Sequence, residues 1–242
     1  MTYTELLGLC ESLSGLGSGG ITANSTLKSQ FTDYLNMAQS QARAAILQVS
    51  KNHASDDYNW TDIPDAPIAL VAGQADYTLP VSEVGANLAT LLRVTGVYFL
   101  SNNERTYIPY MAQGEALTAT SGLPTAYRLN GKSLFFNNPP NAATVSTYTN
   151  VHVEFERIQD KFTTSDTTQQ PGFIEIYHPA LAIKATAIYK LPLDRVYSLT
   201  LSSGDMNRPG MFENELHNLM RDWGNMAGDA PKTVTPRITP YI

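Results

Sequence analysis

The segment Tyr127-Arg-Leu-Asn-Gly-Lys-Ser-Leu-Phe-Phe136 reads as a β-hairpin. Apolar and polar residues alternate on either side of Asn130-Gly131, a pair whose tolerance of positive φ suits the centre of a type I′ turn. Pro139-Pro140 closes the hairpin, and Val151-His-Val-Glu-Phe-Glu-Arg-Ile158 then alternates cleanly. That alternation predicts a strand with Val151, Val153 and Phe155 inward and His152, Glu154 and Glu156 outward. On the N-terminal side, Asp76-Tyr-Thr-Leu-Pro80 is a short strand stopped by proline. Leu91 to Leu100 is a longer apolar strand ended by the turn Ser101-Asn-Asn-Glu104. Before these, Lys51 to Pro67 is polar and turn-rich, with Asp56, Asp57, Pro64 and Pro67 as punctuation. Residues 67–158 are therefore expected to form a small, mainly antiparallel β-domain.

On both flanks the apolar period changes to that of a helix. Leu27, Phe31, Tyr34, Leu35, Ala38, Ala42, Ile46 and Val49 form one stripe, which predicts a long helix from Ser25 to Ser50. Asn24 and Ser25 are placed to accept from its first N–H groups. Its far face carries Lys28, Asp33, Gln39, Gln41 and Arg43, sparsely charged for a solvated surface. A short helix from Tyr3 to Cys10 precedes it, followed by a glycine-rich flexible connector, Ser14-Gly-Leu-Gly-Ser-Gly-Gly20.

Helical spacing returns at His178, where Pro179 fits a first turn. Tyr177, Leu181, Ala185 and Ile188 share a face until Pro192 interrupts. Leu193 to Leu201 suits either a helix or an extended connector. Met211 to Met226 is helical, with Phe212, Leu216, Leu219 and Trp223 on one side. Prolines at 231, 236 and 240 leave no room for a helix in the last stretch. The expected fold class is α+β: a helical bundle with an inserted antiparallel β-domain and an extended C-terminal tail. Its parts are residues 1–66, 67–158, 159–228 and 229–242.

Composition narrows the function. Of 242 residues, 43% are apolar, enough to bury a core, while only 16% are charged against roughly 25% in an ordinary soluble domain. No apolar run approaches the ~18 residues of a membrane span, and the first residues lack the pattern of a secretory signal. The single cysteine, Cys10, excludes an internal disulfide framework and a cysteine-based zinc cluster. A net charge of −6 argues against a nucleic-acid reader.

The chemical motifs are weak. Gly15, Gly17 and Gly20 match G-x-G-x-x-G, but a helix precedes them where a dinucleotide site needs a strand. His53, His152, His178 and His217 fall in four different elements, with no paired metal ligands on any one of them. Asp56, Asp57, Asp62 and Asp65 lack the spacing of a calcium loop and read as a solvated acidic loop. No G-x-S-x-G elbow is present, and Cys10 has no nearby basic partner. No cofactor or metal is expected, and nothing speaks for catalysis.

The tail speaks for binding. Lys232 and Arg237 with no acid give residues 230–242 a net charge of +2, which leaves −8 for the rest of the chain. The tail ends in Ile238, Tyr241 and Ile242, which suits a strand that becomes ordered on a partner. A frayed terminus is the plainer alternative. The low charge fraction is itself a property of interface cores.

An ordered series of short signals resembles the head-to-tail connector, or adaptor, family of tailed bacteriophages. After the long helix comes the Trp-containing loop Asp57-Tyr-Asn-Trp60, then Ala72-Gly-Gln-Ala-Asp-Tyr-Thr-Leu-Pro80. Ser121-Gly-Leu-Pro-Thr-Ala-Tyr127, Leu134-Phe-Phe-Asn-Asn-Pro-Pro140, Val153-Glu-Phe-Glu-Arg157 and His178-Pro-Ala-Leu181 follow in the same order. The resemblance covers about residues 25–228; residues 14–20 and 192–209 fit it less well. It implies a structural virion protein of the neck, made in the host cytoplasm, without catalysis. It further implies a ring of copies, twelve in similar adaptors, beneath the portal protein, with tail or nozzle proteins on the far side. Genomic DNA would pass through the lumen without specific binding. Carried over residue by residue, portal binding falls on Lys232, Val234, Arg237, Ile238, Tyr241 and Ile242. Two alternatives stay open: a carbohydrate- or receptor-binding β-module built on the tyrosines of residues 77–136, and an enzyme whose site is invisible in sequence.

Overall fold

The computed structural model describes residues 1–49, 59, 64–79, 91–111, 120–131, 133–157, 159–205 and 207–229. In chain order the elements are α1 (Tyr3–Ser14), α2 (Ser25–Val49), β1 (Asp65–Ala69), β2 (Asp76–Thr78), β3 (Leu91–Ser101), β4 (Glu104–Tyr107), β5 (Tyr127–Asn130) and β6 (Ser133–Phe136). Then come α3 (Ala142–Tyr148), β7 (Asn150–Arg157), a 3-10 turn (Glu175–Tyr177), α4 (His178–Lys190), α5 (Arg195–Leu201) and α6 (Met211–Asp229). The fold is mixed α+β, with two antiparallel sheets among the described residues. By backbone contacts the chain divides into two units, residues 1–55 with 161–242, and residues 56–160.

In the first unit α4 is the centre. Leu181 and Ala185 are buried as the one-face pattern predicts, but so are Ala180, Ala182, Ile183, Thr186 and Ala187. The reason is that α1, α2, α5 and α6 all pack against α4, and its alanines let their backbones approach. The stretch from Leu193 resolves as a helix, α5, with Asp194 accepting from Tyr197 N at 3.0 Å as its N-cap. Helix α1 runs to Ser14, beyond the expected end at Cys10, and starts in a capping box of Thr2 and Glu5.

Helix α2 starts where Asn24 Oδ1 accepts from Thr26 N and Leu27 N, both at 3.1 Å. Its far face is not solvated throughout: Thr32, Gln39 and Arg43 are buried. This row meets other parts of the chain. Thr32 Oγ1 bonds the Tyr3 hydroxyl at 2.7 Å, and Asn36 holds both backbone groups of Phe162, donating to its O at 3.0 Å and accepting from its N at 2.8 Å.

Two buried carboxylates set the loops of this unit. Glu11, 5% exposed, accepts from Gly19 N, Ile21 N, Thr22 N and Thr22 Oγ1 at 2.9–3.0 Å. The glycine-rich stretch is therefore a turn folded over Glu11, not the flexible connector its composition suggests. Glu213, 3% exposed, does the same for the loop between α5 and α6. Its Oε1 accepts from Ser202 Oγ at 2.5 Å and Gly204 N at 3.0 Å, and its Oε2 from Ser203 N and Gly210 N, both at 3.0 Å. Gly210 is required by space: a Cβ there would lie 2.9 Å from the Ser202 backbone.

In the second unit the strand orders are β1-β7-β3-β4 and β2-β6-β5. Val97, Phe99, Val151 and Val153 of the first sheet form one core with Tyr77, Tyr127, Leu134 and Phe136 of the second. Helix α3, capped by Asn141, adds Tyr148, whose ring lies 4.8 Å from that of Phe99.

Several sequence expectations shift here. Asn130 is the last residue of β5, paired with Ser133, and the positive φ (59°) falls on Gly131. The two-residue loop expected at Asn130-Gly131 therefore starts one residue later, at Gly131. The observed register pairs Leu129 with Leu134 and Tyr127 with Phe136, where the expected one would set Leu129 opposite Lys132. Asn102 and Asn103, both with positive φ, form a second two-residue hairpin loop, so the turn after β3 leads into β4. Asp65 to Pro67, expected as the end of a turn-rich stretch, form the start of β1 instead. Phe155 N donates to Pro64 O and Leu70 N to Thr149 O, so even-numbered residues face β7 and Pro67 lies on the open edge, where no donor is needed. Glu156 and Arg157 are buried, against the expectation of an outward Glu156, and Glu156 pairs with Arg93 at 2.7 Å.

Candidate interaction surfaces

The residues expected to bind the portal, Lys232, Val234, Arg237, Ile238, Tyr241 and Ile242, lie outside the described residues. So do His53, Asp56, Asp57 and Asp62. The remaining candidates can be placed.

An aliphatic corner at α5 is the feature that sequence reasoning missed. Leu191, Leu193, Val196 and Leu199 are 52%, 64%, 76% and 43% exposed. The inner side of α5 is fixed: Ser198 Oγ donates to Ala187 O at 2.8 Å and Tyr197 OH to Leu13 O at 3.1 Å. The outer side thus presents aliphatic residues to the exterior by construction. Contiguous exposed apolar residues of this kind mark interaction sites. The spacing of Val196 and Leu199 was visible in the sequence, but its face was not, because Leu193–Leu201 had no settled conformation.

A groove of about 350 Å³ lies beside the same loop, lined by residues of α2, α4 and α6 that include Ala44, Ala45, Leu216 and Met220. Lys184 also lines it, donating from Nζ to Ser202 Oγ at 2.8 Å and lying 5.1 Å from the centroid of Phe212. Lys184, Ser202 and Glu213 form an amine–hydroxyl–carboxylate chain. The amides of Ser203 and Gly204, which could cradle an oxyanion, donate to Glu213 instead. Burial pushes the Glu213 carboxyl up, but the Ser202 hydroxyl and the Gly204 and Ser203 amides outweigh it and hold it below the usual carboxylate range. The chain of groups is built to hold a loop.

On the second unit, the outer face of the β1-β7-β3-β4 sheet carries a linked cluster. Tyr98 OH donates to Asp65 Oδ2 at 2.8 Å, which also meets His152 Nδ1 at 2.9 Å, and the Tyr98 and His152 rings stack at 5.0 Å. Burial and the Asp65 carboxylate push the Tyr98 hydroxyl up to about 12. Arg105 lies over Tyr98 and donates to Glu154 Oε1 at 2.6 Å, which also accepts from Tyr107 OH at 2.9 Å. Of the tyrosines between residues 77 and 136, Tyr77, Tyr98 and Tyr127 are buried, and only Tyr107 and Tyr110 are exposed.

The other chemical candidates have structural partners. His178 is buried, with Nε2 on Phe173 O at 2.8 Å and Nδ1 2.9 Å from the Met1 amine. Burial lowers its basicity, and the adjacent ammonium adds to that. Cys10 is buried, and burial pushes its thiol up to about 12. Beside Gly15, Gly17 and Gly20, the amides of Gly19, Ile21 and Thr22 are spent on Glu11. Among the described residues no group of three metal-ligating side chains comes together, and no helix is long and apolar enough to cross a membrane.

The sequence profile of the SU10 adaptor protein family matches residues 1–198. The chain belongs to that family. No curated protein matches it significantly. The family is one of phage head–tail adaptors, so the adaptor is a structural component of a virion. The matched span takes in both sheets and α1 to α4 and enters α5; it stops before α6.

Proposed function

We propose that the adaptor works as a head-to-tail connector: copies of the chain form a ring beneath the portal protein and present a docking face to the tail. The family match across residues 1–198 carries this reading. In it the helices form a bundle directed at the portal, and the β-domain is an insertion directed outward or tailward. Residues 229–242 order on the portal through Lys232, Val234, Arg237, Ile238, Tyr241 and Ile242. Ordering costs ~1–2 kcal/mol per residue of backbone entropy. Burial of the tail's aliphatic residues, multiplied by avidity around the ring, offsets it. The exposed corner at Leu193, Val196 and Leu199 supplies further apolar surface of the kind that assembly consumes. An acidic chain has few of the counterion-releasing cations that DNA binding needs, so DNA passes the lumen without being held.

The test mixes the full-length chain with its cognate portal and images the product by electron microscopy. Rings on the portal are expected. Truncation after Asp229 is expected to leave a folded chain that no longer binds. Undiminished binding by the truncated chain would remove the tail from the mechanism, and an absence of rings with the full chain would refute the connector reading.

A further inference from the structure

The three-stranded sheet of the second unit turns one face to the core, through Tyr77, Tyr127, Leu134 and Phe136. Alternation puts Asp76, Phe135 and Arg128 on the other face, in one row across β2, β6 and β5. The next row on that face is Thr78, Ser133 and Asn130. Arg128 lies over the Phe135 ring, 5.3 Å from its centroid. Among the described residues neither Arg128 nor Asp76 has a charged partner. The central strand keeps their backbones about 10 Å apart. Arg128 Nε is buried without a hydrogen-bond partner, so the guanidinium is already partly desolvated. A carboxylate meeting such a group gains more than it would at a fully solvated charge. The row is thus an acid, a ring and a base, with each charge lacking its complement.

We propose that this face binds the same face of a second copy of the chain, related by a two-fold axis that runs along β6 at Phe135. Such an axis reverses the row, so Asp76 of each copy meets Arg128 of the other and the two Phe135 rings fall at the centre. The neighbouring row reverses as well, which sets Thr78 opposite Asn130 and Ser133 opposite Ser133, all able to hydrogen-bond. An axis across the strands would instead set Asp76 on Asp76 and Arg128 on Arg128. Charge therefore selects the orientation as well as the partner. Stacked sheets with nearly aligned strands are an ordinary packing. The face is built from strands of three and four residues and is smaller than the ~800 Å² per partner of a stable interface. The pair is therefore weak and depends on concentration. It goes beyond the ring reading and does not need it, because an isologous contact closes with two copies and cannot propagate around a ring.

The experiment follows the full chain by sedimentation velocity across a concentration series, without portal. A monomer–dimer equilibrium is expected. Asp76→Arg makes the face doubly basic and Arg128→Asp makes it doubly acidic, so each is expected to raise the dimer dissociation constant about tenfold or more. Mixed in equal amounts, the two variants are expected to dimerise at least as well as the unaltered chain, because each supplies the charges the other lacks. The double reversal, Asp76→Arg with Arg128→Asp, is again complementary to itself and is expected to dimerise. Circular-dichroism melts check that each variant is folded. Asp76 is exposed, so Asp76→Arg decides the matter if Arg128→Asp unfolds. A chain that stays monomeric throughout the series, a dimer that Asp76→Arg leaves unchanged, or folded single variants that do not associate with each other would each overturn this contact. So would a dimer dissociated by Val196→Lys but not by Asp76→Arg, which belongs to the α5 corner. None of these results bears on rings formed on the portal, so the connector reading stands or falls separately.

Discussion

Replacing Glu213 with glutamine tests whether one carboxylate holds the loop between α5 and α6. The carboxylate accepts four hydrogen bonds at 2.5–3.0 Å while only 3% exposed. An amide keeps one acceptor oxygen, so one pair of donors stays satisfied. The other pair, either Ser203 N with Gly210 N or Ser202 Oγ with Gly204 N, then faces an NH₂ group. Leaving buried donors unmet costs ~1–3 kcal/mol each. The hydroxyl of Ser202 can rotate, so the lower-cost orientation strands about one and a half donors, and the net loss is about 3 kcal/mol. At ~2–4 °C per kcal/mol for a chain of this size, Glu213→Gln melts roughly 6–12 °C lower at pH 7. The pH dependence has a definite sign. The folded carboxyl is held below its usual range, so its stabilisation is present above the unfolded pKa of ~4.3 and is lost as pH falls through the folded value. The gap between Glu213→Gln and the unaltered chain therefore narrows on acidification. Circular-dichroism melts from pH 7 to pH 3, with amide exchange at Ser203, Gly204 and Gly210, read both effects. A variant within 1 °C of the unaltered chain at pH 7, with those amides still protected, refutes the reasoning.

Glu11→Gln is expected to behave alike, since burial pushes that carboxyl up and the amides of Thr22, Gly19 and Ile21 outweigh it; loss of amide protection at Gly19 to Thr22 is the readout. Gly210→Ala places a Cβ 2.9 Å from the Ser202 backbone and is expected to cost ~1–3 kcal/mol in a denaturant titration. Asn141→Ala removes the side-chain acceptor for Thr144 N at 2.8 Å and is expected to cost ~0.5–2 kcal/mol, seen as an earlier melt. Pro67→Val restores a donor to the open edge of β1, so melting changes little while light scattering shows more self-association.

Periodicity carried far where each element has one buried face. Leu27 to Val49 on α2 and Val151, Val153 and Phe155 on β7 are buried or half-buried along the predicted stripes. It failed where an element is enclosed on more than one side. Helix α4 is covered by four others, and α2 meets Tyr3 and Phe162 through a polar row that pattern reading assigns to solvent. It also failed where one distant carboxylate organises a loop: nothing local to Gly17 or Ser203 shows that Glu11 or Glu213 will sit beneath it. The α3 helix was legible in principle, since Asn141 after a double proline is an N-cap signal with Thr144 three residues on. The aliphatic corner at α5 required the helix to be settled first, and that depends on Asp194 and on Ser198 reaching Ala187.

The low charged fraction becomes more telling once the buried groups are placed. Glu11, Arg43, Glu156, Arg157 and Glu213 are all at most 5% exposed, so five of the chain's 38 charged side chains contribute almost nothing to the surface. At most 33 charged side chains are then left for the surface, while Leu193, Val196 and Ile176 are each more than 60% exposed. A monomer gains nothing from that combination, because charge keeps proteins apart and exposed aliphatic residues bring them together. The internal carboxylates explain how the chain tolerates it. They fix its loops with charge-assisted hydrogen bonds that need no surface ion pairs, which leaves the exterior free to be neutral. For an adaptor that assembles as proposed above, that exchange is favourable. It follows that Val196→Lys is expected to leave the melt within ~0.5 kcal/mol of the unaltered chain, as for a solvent-facing substitution, while weakening assembly on the portal. A melt lowered by several degrees, with assembly of the folded chain undiminished, would instead place Val196 in the core of the first unit.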